Sequence, residues 1–427
     1  MVGAARALPH LSTQAAVIDV IRAAGTISRA GLIEETGLTG ATISTLVRRL
    51  IDDGLVVETG RAESTGGKPR VLLQLDHTAR YAVGVHLDHS GIVYVLTTLG
   101  GTVVTEMSRP GAGVEDPPVV VERMAHEVAS LIEASGVDLA RVSGLGLVSP
   151  GPLTPESGMH VTPPAMRQWR DFPLDRALQD AVGVPVLLDN DATAAALGEH
   201  WTGRAGAHAT FATVYMGTGL GAGLIVNGAA YEGVSGNAGE IGHICLDLDG
   251  PECWCGSRGC AEALAGPAAV VAAARSDARL AAAAQLAPAP SPAAGASPRS
   301  TVAADFAAVT RTALDGDEGA RDLLERSARY VALATRTLAN VMDVDLVVLT
   351  GPSLAVAAPI YLPVVQEELD RSFFPRSTHG VQVRVSPVAK TAAAIGAAAM
   401  VLQSELVPQR GTLRLPVRGE REAGAAD

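Results

Sequence analysis

The four cysteines of this 427-residue chain lie in one short segment, between Cys245 and Cys260. Cysteines crowded in this way argue against a disulfide framework and favour a metal site. The candidate ligands, one imidazole and three thiols, are His243, Cys253, Cys255 and Cys260. This set matches a closed, tetrahedral zinc site of the structural kind, and we predict one Zn2+ per chain. Cys245 is expected to be a buried small hydrophobe. The alternative is a set of unrelated cytosolic thiols.

Composition and charge limit the remaining possibilities. The chain is 48% hydrophobic and 18% charged, which is typical of folded domains with a sizeable core. No apolar run reaches the roughly 18 residues of a membrane span, and the N-terminus lacks a signal-peptide pattern. We therefore expect a cytoplasmic protein without membrane contact. Residues 1–80 have a net charge of +1 and the remainder −13, so any surface that binds nucleic acid should lie in the N-terminal segment.

Residues 13–75 carry three short helical patterns followed by two strand patterns. The predicted elements are helices Thr13–Ala24, Ser28–Gly37 and Thr39–Gly54 and strands Leu55–Thr59 and Val71–Leu75. Ser28 and Thr39 are expected to cap their helices, and a glycine ends each helix. Leu32 and Ile33 are expected in the core. A helix-turn-helix followed by a β-hairpin is a winged helix-turn-helix, an arrangement that binds DNA.

The third of these helices has an apolar face and a polar face. The apolar stripe consists of Ile43, Leu46, Val47 and Leu50 at helical spacing. Because the stripe faces the core, the opposite face is free to enter a DNA major groove. The candidate DNA-binding residues on that face and in the wing are Thr42, Ser44, Thr45, Arg48, Arg49, Lys68 and Arg70. Their hydroxyl, ammonium and guanidinium groups reach base edges and phosphates. A helical protein-interaction module is the alternative.

From residue 81 the pattern changes to strands mixed with longer helices. Strands are predicted at Tyr81–Leu87, Ile92–Thr97, Val103–Met107, Val142–Leu147, Val184–Asp189, Ala212–Tyr215, Gly221–Val226, Leu346–Thr350 and Val381–Val385. Helices are predicted at Val119–Ser135, Ala192–His200, Pro267–Ala284, Asp317–Val341 and Thr391–Gln403. This mixture predicts α/β lobes with mixed sheets. Low complexity predicts a flexible insertion at 281–301 and a loose tail at 408–427.

Four motifs in this region resemble the signature of the repressor–ORF–kinase (ROK) family. They are L-D-N-D-A-T-A-A-A-L-G-E from Leu188 to Glu199, G-T-G-L-G-A-G from Gly217 to Gly223, G-N-A-G-E-I-G-H from Gly236 to His243 and C-W-C-G-S-R-G-C-A-E from Cys253 to Glu262. The resemblance implies an actin-like, ribonuclease H-like two-lobed α/β domain with a sugar site in its cleft. The winged helix-turn-helix would then span 1–78 and the ROK domain 79–407, with lobe one at 79–198 plus helix 391–403 and lobe two at 199–390.

The resemblance also implies a set of sugar ligands. The matching residues are Asn190, Asp191, Glu240, His243 and Glu262. Sugars are polyols, and carboxylates and amides hold adjacent hydroxyls through paired hydrogen bonds. In this pattern His243 contacts both zinc and sugar, because imidazole has two ring nitrogens. Asp191 would be the catalytic base of a kinase, and its alternative role is the N-cap of the following helix. For Glu240 the alternative is a solvated loop acid.

Two departures from the kinase pattern predict that the chain is not an enzyme. Kinase members end the first strand of lobe one with D-x-G-x-T, whereas this chain has His86-Leu87-Asp88-His89-Ser90. A nucleotide phosphate would therefore meet a carboxylate side chain instead of a bare amide. The adenosine-side motif, usually G-G-G, is Thr350-Gly351-Pro352 here, and proline removes an N–H and adds bulk. The intact loop at 217–223 mildly favours the kinase alternative.

Taken together, these features predict a sugar-responsive transcriptional regulator, and more specifically a repressor, that binds operator DNA and a sugar or sugar phosphate. A sugar kinase with an appended DNA-binding domain is one alternative. A DNA-binding protein whose second part only dimerises is another. Members of the family are dimers or tetramers, so we expect a homodimer or homotetramer and a pseudo-palindromic operator.

Overall fold

The computed structural model describes residues 13–61, 70–153, 164–203, 205, 210–287 and 302–406. The predicted wing residue Lys68, the predicted tail at 408–427 and most of the predicted insertion at 281–301 lie outside these ranges. Within the described part, no helix combines the length and apolar character needed to cross a membrane.

Three helices and a three-stranded antiparallel sheet form the N-terminal domain. Their bounds are α1 Thr13–Ala24, β1 Ile27–Ser28, α2 Arg29–Thr36, α3 Gly40–Asp52, β2 Val56–Arg61 and β3 Val71–Leu75, with the sheet order β1-β3-β2. The hydroxyls of Ser28 and Thr39 accept hydrogen bonds from N–H groups in the first turns of α2 and α3. Ile43, Val47 and Leu50 of α3 are fully buried. The predicted winged helix-turn-helix is confirmed.

The predicted burial of Ile33 is wrong. Leu32 is fully buried, whereas Ile33 exposes 38% of its surface. Successive residues of an α-helix point about 100° apart, so the eight-residue helix α2 places only one of the two side chains in the core. Ile33 lies instead over the start of α3, near Gly40.

Two five-stranded mixed sheets follow, and they share one topology. The first contains β4 Tyr81–Leu87, β5 Gly91–Thr98, β6 Val103–Pro110, β7 Val142–Ser149 and β8 Val186–Asn190 in the order β6-β5-β4-β7-β8. The second contains β9 Phe211–Met216, β10 Leu220–Val226, β11 Ala229–Ala230, β12 Leu346–Thr350 and β13 Gln382–Val385 in the order β11-β10-β9-β12-β13. In each sheet a three-stranded antiparallel meander continues into two parallel strands. This duplication gives the two lobes that the resemblance implies.

The helices of the two lobes pack on these sheets and on one another. They are α4 Pro117–Ser135, α5 Leu174–Val182, α6 Asp191–Trp201, α7 Ala261–Ala265, α8 Pro267–Ser276, α9 Ala278–Ala283, α10 Val302–Leu314, α11 Glu318–Met342, α12 Pro352–Ser372 and α13 Ala392–Leu406, with 3-10 turns at Leu139–Arg141, Pro164–Trp169 and Ile241–His243. Helices α6 and α13 pack so closely that their backbones leave no room for a side chain at Gly396. A Cβ there would lie 1.6 Å from the carbonyl oxygen of Ala194. Similarly, a Cβ on Gly198 would lie 2.4 Å from the carbonyl oxygen of Ala392. The two helices therefore form one tightly joined unit.

Sequence periodicity did not predict α5, α10 or α12, and it predicted one helix over 267–284 where the structure has two. Asp277 interrupts that run because its side chain accepts hydrogen bonds from two N–H groups at the start of α9. Helix α12 contains Pro359 and Pro363, each of which removes a helical hydrogen bond. The helix forms nevertheless, because its apolar face is buried in the core of the second lobe, a tertiary contribution that local propensity does not include.

Candidate functional site

A cleft opens beside the start of α6. Its walls come from the ends of β7 and β8, the β9–β10 hairpin and the segment 238–262. All five predicted sugar ligands line it, namely Asn190, Asp191, Glu240, His243 and Glu262. The cleft lies at the carboxyl ends of parallel strands, which is where open α/β sheets bind ligands.

Asn190 and Asp191 join β8 to α6. The side-chain oxygen of Asn190 accepts hydrogen bonds from the N–H groups of Ala192 at 2.8 Å and Thr193 at 3.1 Å. Asn190 is therefore the N-cap, and the alternative interpretation of Asp191 as the cap is wrong. Asp191 is the first residue of the helix and only 6% exposed, and the positive end of the helix dipole favours its negative charge.

Glu240 and Glu262 add two further carboxyl groups to the cleft. Glu240 is half-buried and lines the cleft, which disfavours the alternative of a solvated loop acid. Burial, together with the negative charges of Asp191 and Glu262, raises the pKa of Glu240 to about 7. Glu262 is held from two sides. Its Oε2 accepts a hydrogen bond from the N–H of Leu220 at 2.8 Å, and its Oε1 accepts one from the indole N–H of Trp254 at 2.7 Å. Convergent acceptors in a half-enclosed cleft suit a polyhydroxyl ligand.

A buried network lies next to Asp191 on the inner side of the cleft. The Nε2 atom of His86 is 3.3 Å from Oδ2 of Asp191 and 3.4 Å from the hydroxyl of Tyr215. Burial opposes a charge on His86, but the hydrogen bond and the charge of Asp191 outweigh it and raise the pKa of His86. Sequence reasoning identified His86 as a departure from the kinase pattern but not its contact with Asp191.

Asp88 connects the turns that follow the first strand of each sheet. Its Oδ2 accepts a hydrogen bond from the hydroxyl of Thr218 at 2.9 Å, and its Oδ1 accepts one from the N–H of Ser90 at 2.8 Å. Asp88 is only 5% exposed, and burial raises its pKa. Where the kinase pattern has a bare glycine, this chain therefore has a buried carboxyl group bonded to the opposite sheet.

The second departure from the kinase pattern, at Thr350-Gly351-Pro352, lies at the start of α12. Gly351 has a φ of +96°, and a Cβ there would lie 2.5 Å from the carbonyl oxygen of Met216, so glycine is required. Pro352 is the first residue of α12, where a missing N–H costs the helix nothing because first-turn N–H groups lack helical partners. It does remove one free N–H group that an anion at this helix start would use.

The four predicted metal ligands form one cluster, and they are His243, Cys253, Cys255 and Cys260. Their ligand atoms all lie within 4.8 Å of one another. The distance from Nδ1 of His243 to Sγ of Cys253 is 3.6 Å, and that between the Sγ atoms of Cys255 and Cys260 is 3.7 Å. Tetrahedral coordination with metal–sulfur bonds of about 2.3 Å and metal–nitrogen bonds of about 2.0 Å requires ligand separations of roughly 3.5–3.8 Å. The donor set can therefore hold a metal ion.

Cys245 does not belong to this cluster. It is exposed, so its predicted burial is wrong. The reason is the position of its segment at the protein surface, where nearby Leu248 is 85% exposed.

The predicted DNA-binding face of α3 is open to solvent. Ser44, Thr45, Arg48 and Arg49 are exposed, as is Arg70 before β3, and Thr42 is half-buried. Arg49 has one carboxylate neighbour, Asp53, at 3.9 Å, and water screens an exposed pair of this kind. The structure thus keeps basic and hydroxyl groups together on one surface, while Lys68 lies outside the described residues.

Comparison with known proteins assigns both parts of the chain. The sequence profile of the ROK family matches residues 83–404, which include both five-stranded sheets and the cleft. The chain belongs to the ROK family. The profile of the MarR family matches residues 11–64, in the winged helix. Among curated relatives, the xylose repressor of Bacillus spizizenii is 27% identical over 379 residues, which are 88% of this chain and 91% of that protein.

Solved ROK structures share the fold. A ROK family transcriptional regulator, a homologue of the E. coli MLC protein, has a TM-score of 0.69 and 26% identity over 92% of this chain and 96% of that one. A ROK family glucokinase from Streptomyces griseus, in complex with glucose and AMPPNP, has a TM-score of 0.60 and 25% identity over 75% of this chain and 98% of that one. The regulator therefore aligns with a larger share of this chain than the kinase does.

The ROK domain contacts the winged helix through the far end of α6. The guanidinium of Arg22 in α1 donates hydrogen bonds to the carbonyl oxygens of Trp201 and His200, and it lies 4.8 Å from the centre of the Trp201 ring. Asp19 accepts a hydrogen bond from Arg22 and lies 3.5 Å from Nε2 of His200. Burial opposes the charge of Asp19, but the neighbouring His200 and Arg22 outweigh it and lower its pKa to about 2. We name these four residues the α1–α6 junction.

Sequence reasoning missed Tyr215, Trp254 and the junction. Trp254 carried a usable signal, because a large aromatic residue between two cysteines of a predicted metal site is conspicuous. Tyr215 and Arg22 carried none, since their partners His86 and Trp201 lie 129 and 179 residues away in the chain.

Proposed function

We propose that this protein is a transcriptional repressor whose affinity for operator DNA is controlled by a sugar or sugar phosphate bound in the ROK cleft. The observation that carries the proposal is helix α6, which starts in the cleft at Asp191 and ends at the α1–α6 junction with the winged helix. Relatives named xylose repressor and N-acetylglucosamine repressor support this class of function. A ligand that stabilises one position of α6 would change the position of the winged helix, and hence its affinity for DNA.

The test of this proposal is a mobility-shift assay with the full chain and DNA flanking its own gene. The shift should respond to one member of a panel that contains D-xylose, D-glucose, N-acetylglucosamine and their phosphates. A chain that lacks residues 1–78 and still shifts the fragment would contradict the DNA-binding assignment. A shift that none of the sugars alters would favour a DNA-binding protein whose ROK domain only dimerises.

In the proposed sugar site each protein side chain has a distinct role. The oxygen of Asn190 is used by the helix cap, so its amide N–H groups remain for the sugar. Asp191 offers Oδ1, because its Oδ2 is paired with His86. Glu240 and Glu262 accept hydrogen bonds from further hydroxyls. His243 turns Nδ1 towards Cys253, which leaves Nε2 for the ligand.

We infer that the chain does not phosphorylate its sugar. A kinase base must accept the proton of the attacking hydroxyl, but one carboxylate oxygen of Asp191 is already paired with Nε2 of His86 at 3.3 Å. The side chain of Asp88 occupies the turn at which the kinase pattern has a glycine. Because kinases occur among the ROK relatives, a sugar kinase with an appended DNA-binding domain is the alternative.

We propose that the metal is zinc, because three thiolates and one imidazole form a donor set that zinc prefers. Bound there, zinc would fix the segment from Cys253 to Cys260, which adjoins Glu262 in the cleft. The ion supplies structural constraint, and the sugar contacts come from the protein's own side chains.

Replacing Cys260 with Ser is expected to remove the metal and weaken sugar binding, because metal binding and folding of the loop are coupled. Elemental analysis of protein purified without chelators should find one zinc per chain in the parent and none in the variant. The matched control is Cys245→Ser, an exposed cysteine outside the cluster, which should keep the metal. A parent protein without metal would contradict the proposal.

We propose that α3 enters the major groove with Thr42, Ser44, Thr45, Arg48 and Arg49, and that Lys68 and Arg70 contact phosphates from the wing. Replacing Arg48 with Ala is expected to weaken operator binding by about 1–3 kcal/mol, the contribution of a side chain that reads a base. Removing Lys68 and Arg70 together should reduce the salt dependence instead. Arg170→Ala, an exposed arginine of the ROK domain, is the control. Unchanged operator affinity in Arg48→Ala would contradict this docking.

We further propose a homodimer or homotetramer, because a two-fold dimer matches a pseudo-palindromic operator with half-sites about one DNA turn apart. A repressor of this kind works in the cytoplasm.

We also propose limits for the domains. The winged helix spans 1–78 and the ROK domain 79–407. Within the ROK domain, one lobe consists of 79–198 plus 391–403 and the other of 199–390. Limited proteolysis would test them.

A further inference from the structure

We propose that Trp254 is the stacking surface of the sugar site and determines which sugar rings bind there. The proposal rests on the proposed function and adds a residue to its ligand site. Trp254 lines the cleft and is 41% exposed. The chain's other two tryptophans, Trp169 and Trp201, are 0% and 2% exposed. An indole that leaves so much of its surface uncovered contributes only part of its area to packing.

Trp254 is nevertheless held firmly. Its indole N–H donates a hydrogen bond to Oε1 of Glu262 at 2.7 Å. Its ring packs edge-to-face on His243, with 5.0 Å between ring centres and 84° between ring planes. In the chain it lies between Cys253 and Cys255, two members of the metal-ligand cluster. A side chain fixed from several sides loses little freedom when a ligand arrives, which favours binding.

The chemistry of a sugar ring matches this arrangement. A pyranose has hydroxyls at its rim and C–H groups on its faces. The rim suits the acceptors of Asp191, Glu240 and Glu262, and a C–H face suits the flat indole. Trp254 also sets the direction of Glu262, since one carboxylate oxygen accepts from the indole and the other from the backbone of Leu220.

This geometry predicts a preference among sugars. An axial hydroxyl on the stacked face would hold the ring away from the indole and would lose its hydrogen bonds to water without replacement. The ligand class is therefore a pyranose whose stacked face carries only C–H groups. Epimers that place an axial hydroxyl on this face should bind more weakly.

Two variants separate the functions of the indole. Trp254→Phe keeps an aromatic ring but removes the N–H donor, and Trp254→Gln keeps an N–H donor but removes the ring. The measurements are calorimetric affinity and tryptophan fluorescence of the full chain, titrated with D-xylose, D-glucose, N-acetylglucosamine and their C4 epimers. Operator binding without sugar and metal content check that each variant is folded.

The binding sugar should change the fluorescence of the parent, because Trp254 is the exposed tryptophan, and this change should disappear in Trp254→Phe. Trp254→Gln should bind the sugar about tenfold more weakly, because the substitution removes a favourable aromatic contact. It should also discriminate less between epimers. Phe374→Ala, an aromatic residue that is 83% exposed and does not line the cleft, should behave like the parent.

Two results would overturn the inference while leaving sugar-responsive repression intact. One is an unchanged affinity in Trp254→Gln, and the other is a fluorescence response that persists in Trp254→Phe. A parent chain that gives no calorimetric signal with any sugar of the panel would instead contradict the proposed function itself, and this inference with it.

Discussion

Replacing Asp191 with Asn is expected to abolish the effect of sugar on operator binding at sugar concentrations that just saturate the parent protein. The substitution keeps the shape of the side chain but removes the charge that strengthens its hydrogen bonds to sugar hydroxyls, so sugar affinity should fall by about tenfold to 100-fold. It also exchanges an acceptor for a donor next to His86, which lies 3.3 Å away. Operator affinity without sugar should stay unchanged, because Asp191 lies at the end of α6 opposite the α1–α6 junction. Calorimetry measures the sugar affinity, and a mobility-shift assay measures the operator affinity with and without sugar.

The matched control for this variant is Asp189→Asn. Asp189 is two residues earlier, its carboxyl accepts a hydrogen bond from the backbone N–H of Asn190, and it does not line the cleft. An amide oxygen can accept the same bond, so this control should respond to sugar like the parent. If Asp191→Asn retains the full sugar response, the cleft is not the effector site.

The same proteins test the kinase alternative. Glu262→Ala should also lose the sugar response, because Glu262 is an acceptor in the cleft. Labelled ATP and the sugar panel should give no sugar phosphate above background with the parent protein. Turnover that disappears in Asp191→Asn would show that His86 and Asp88 do not prevent catalysis, and the kinase alternative would then be favoured.

Replacing Arg22 with Ala is expected to uncouple sugar binding from DNA binding. The Arg22 side chain is 3% exposed and bridges Asp19 to the last carbonyl groups of α6. Without it, α1 would keep its packing against α13 but lose its hydrogen bonds to α6, so the difference between operator affinities with and without sugar should become much smaller. Sugar affinity by calorimetry should be unchanged, because the cleft lies at the other end of the helix.

Loss of Arg22 leaves the half-buried Asp19 with only His200 beside it, and breaking a fully buried ion pair in this way would be destabilising by about 3–5 kcal/mol, an upper bound here. Arg22→Lys provides the second test, because an ammonium keeps the charge but lacks the planar fork that holds Asp19 and the carbonyl groups of α6 at the same time. Its sugar response should be intermediate. Arg321→Ala, which removes an exposed ion pair with Glu325 on α11, is the control. A full sugar response in a folded Arg22→Ala protein would mean that the signal does not pass through the junction.

Local sequence was sufficient for the features that depend on neighbouring residues. The caps at Ser28 and Thr39, the buried stripe of α3 and strands such as Tyr81–Leu87 and Leu346–Thr350 agree with prediction to within a few residues. The reason is that caps, turns and periodic burial are set by side chains within one or two helical turns. The cluster of candidate metal ligands could also be predicted, since Cys253, Cys255 and Cys260 lie within eight positions of one another.

Tertiary structure decided the features that depend on distant residues. The contacts of His86 with Asp191, of Asp88 with Thr218 and of Arg22 with Trp201 span 105, 130 and 179 residues. No local pattern contains both members of such a pair, and each contact exists only where elements that are distant in the chain pack together. Burial also overrode local preference in α12, which is helical despite its two interior prolines. Sequence motifs therefore identified residues that line the cleft, whereas packing determined which of them are already engaged and how the cleft connects to the DNA-binding domain.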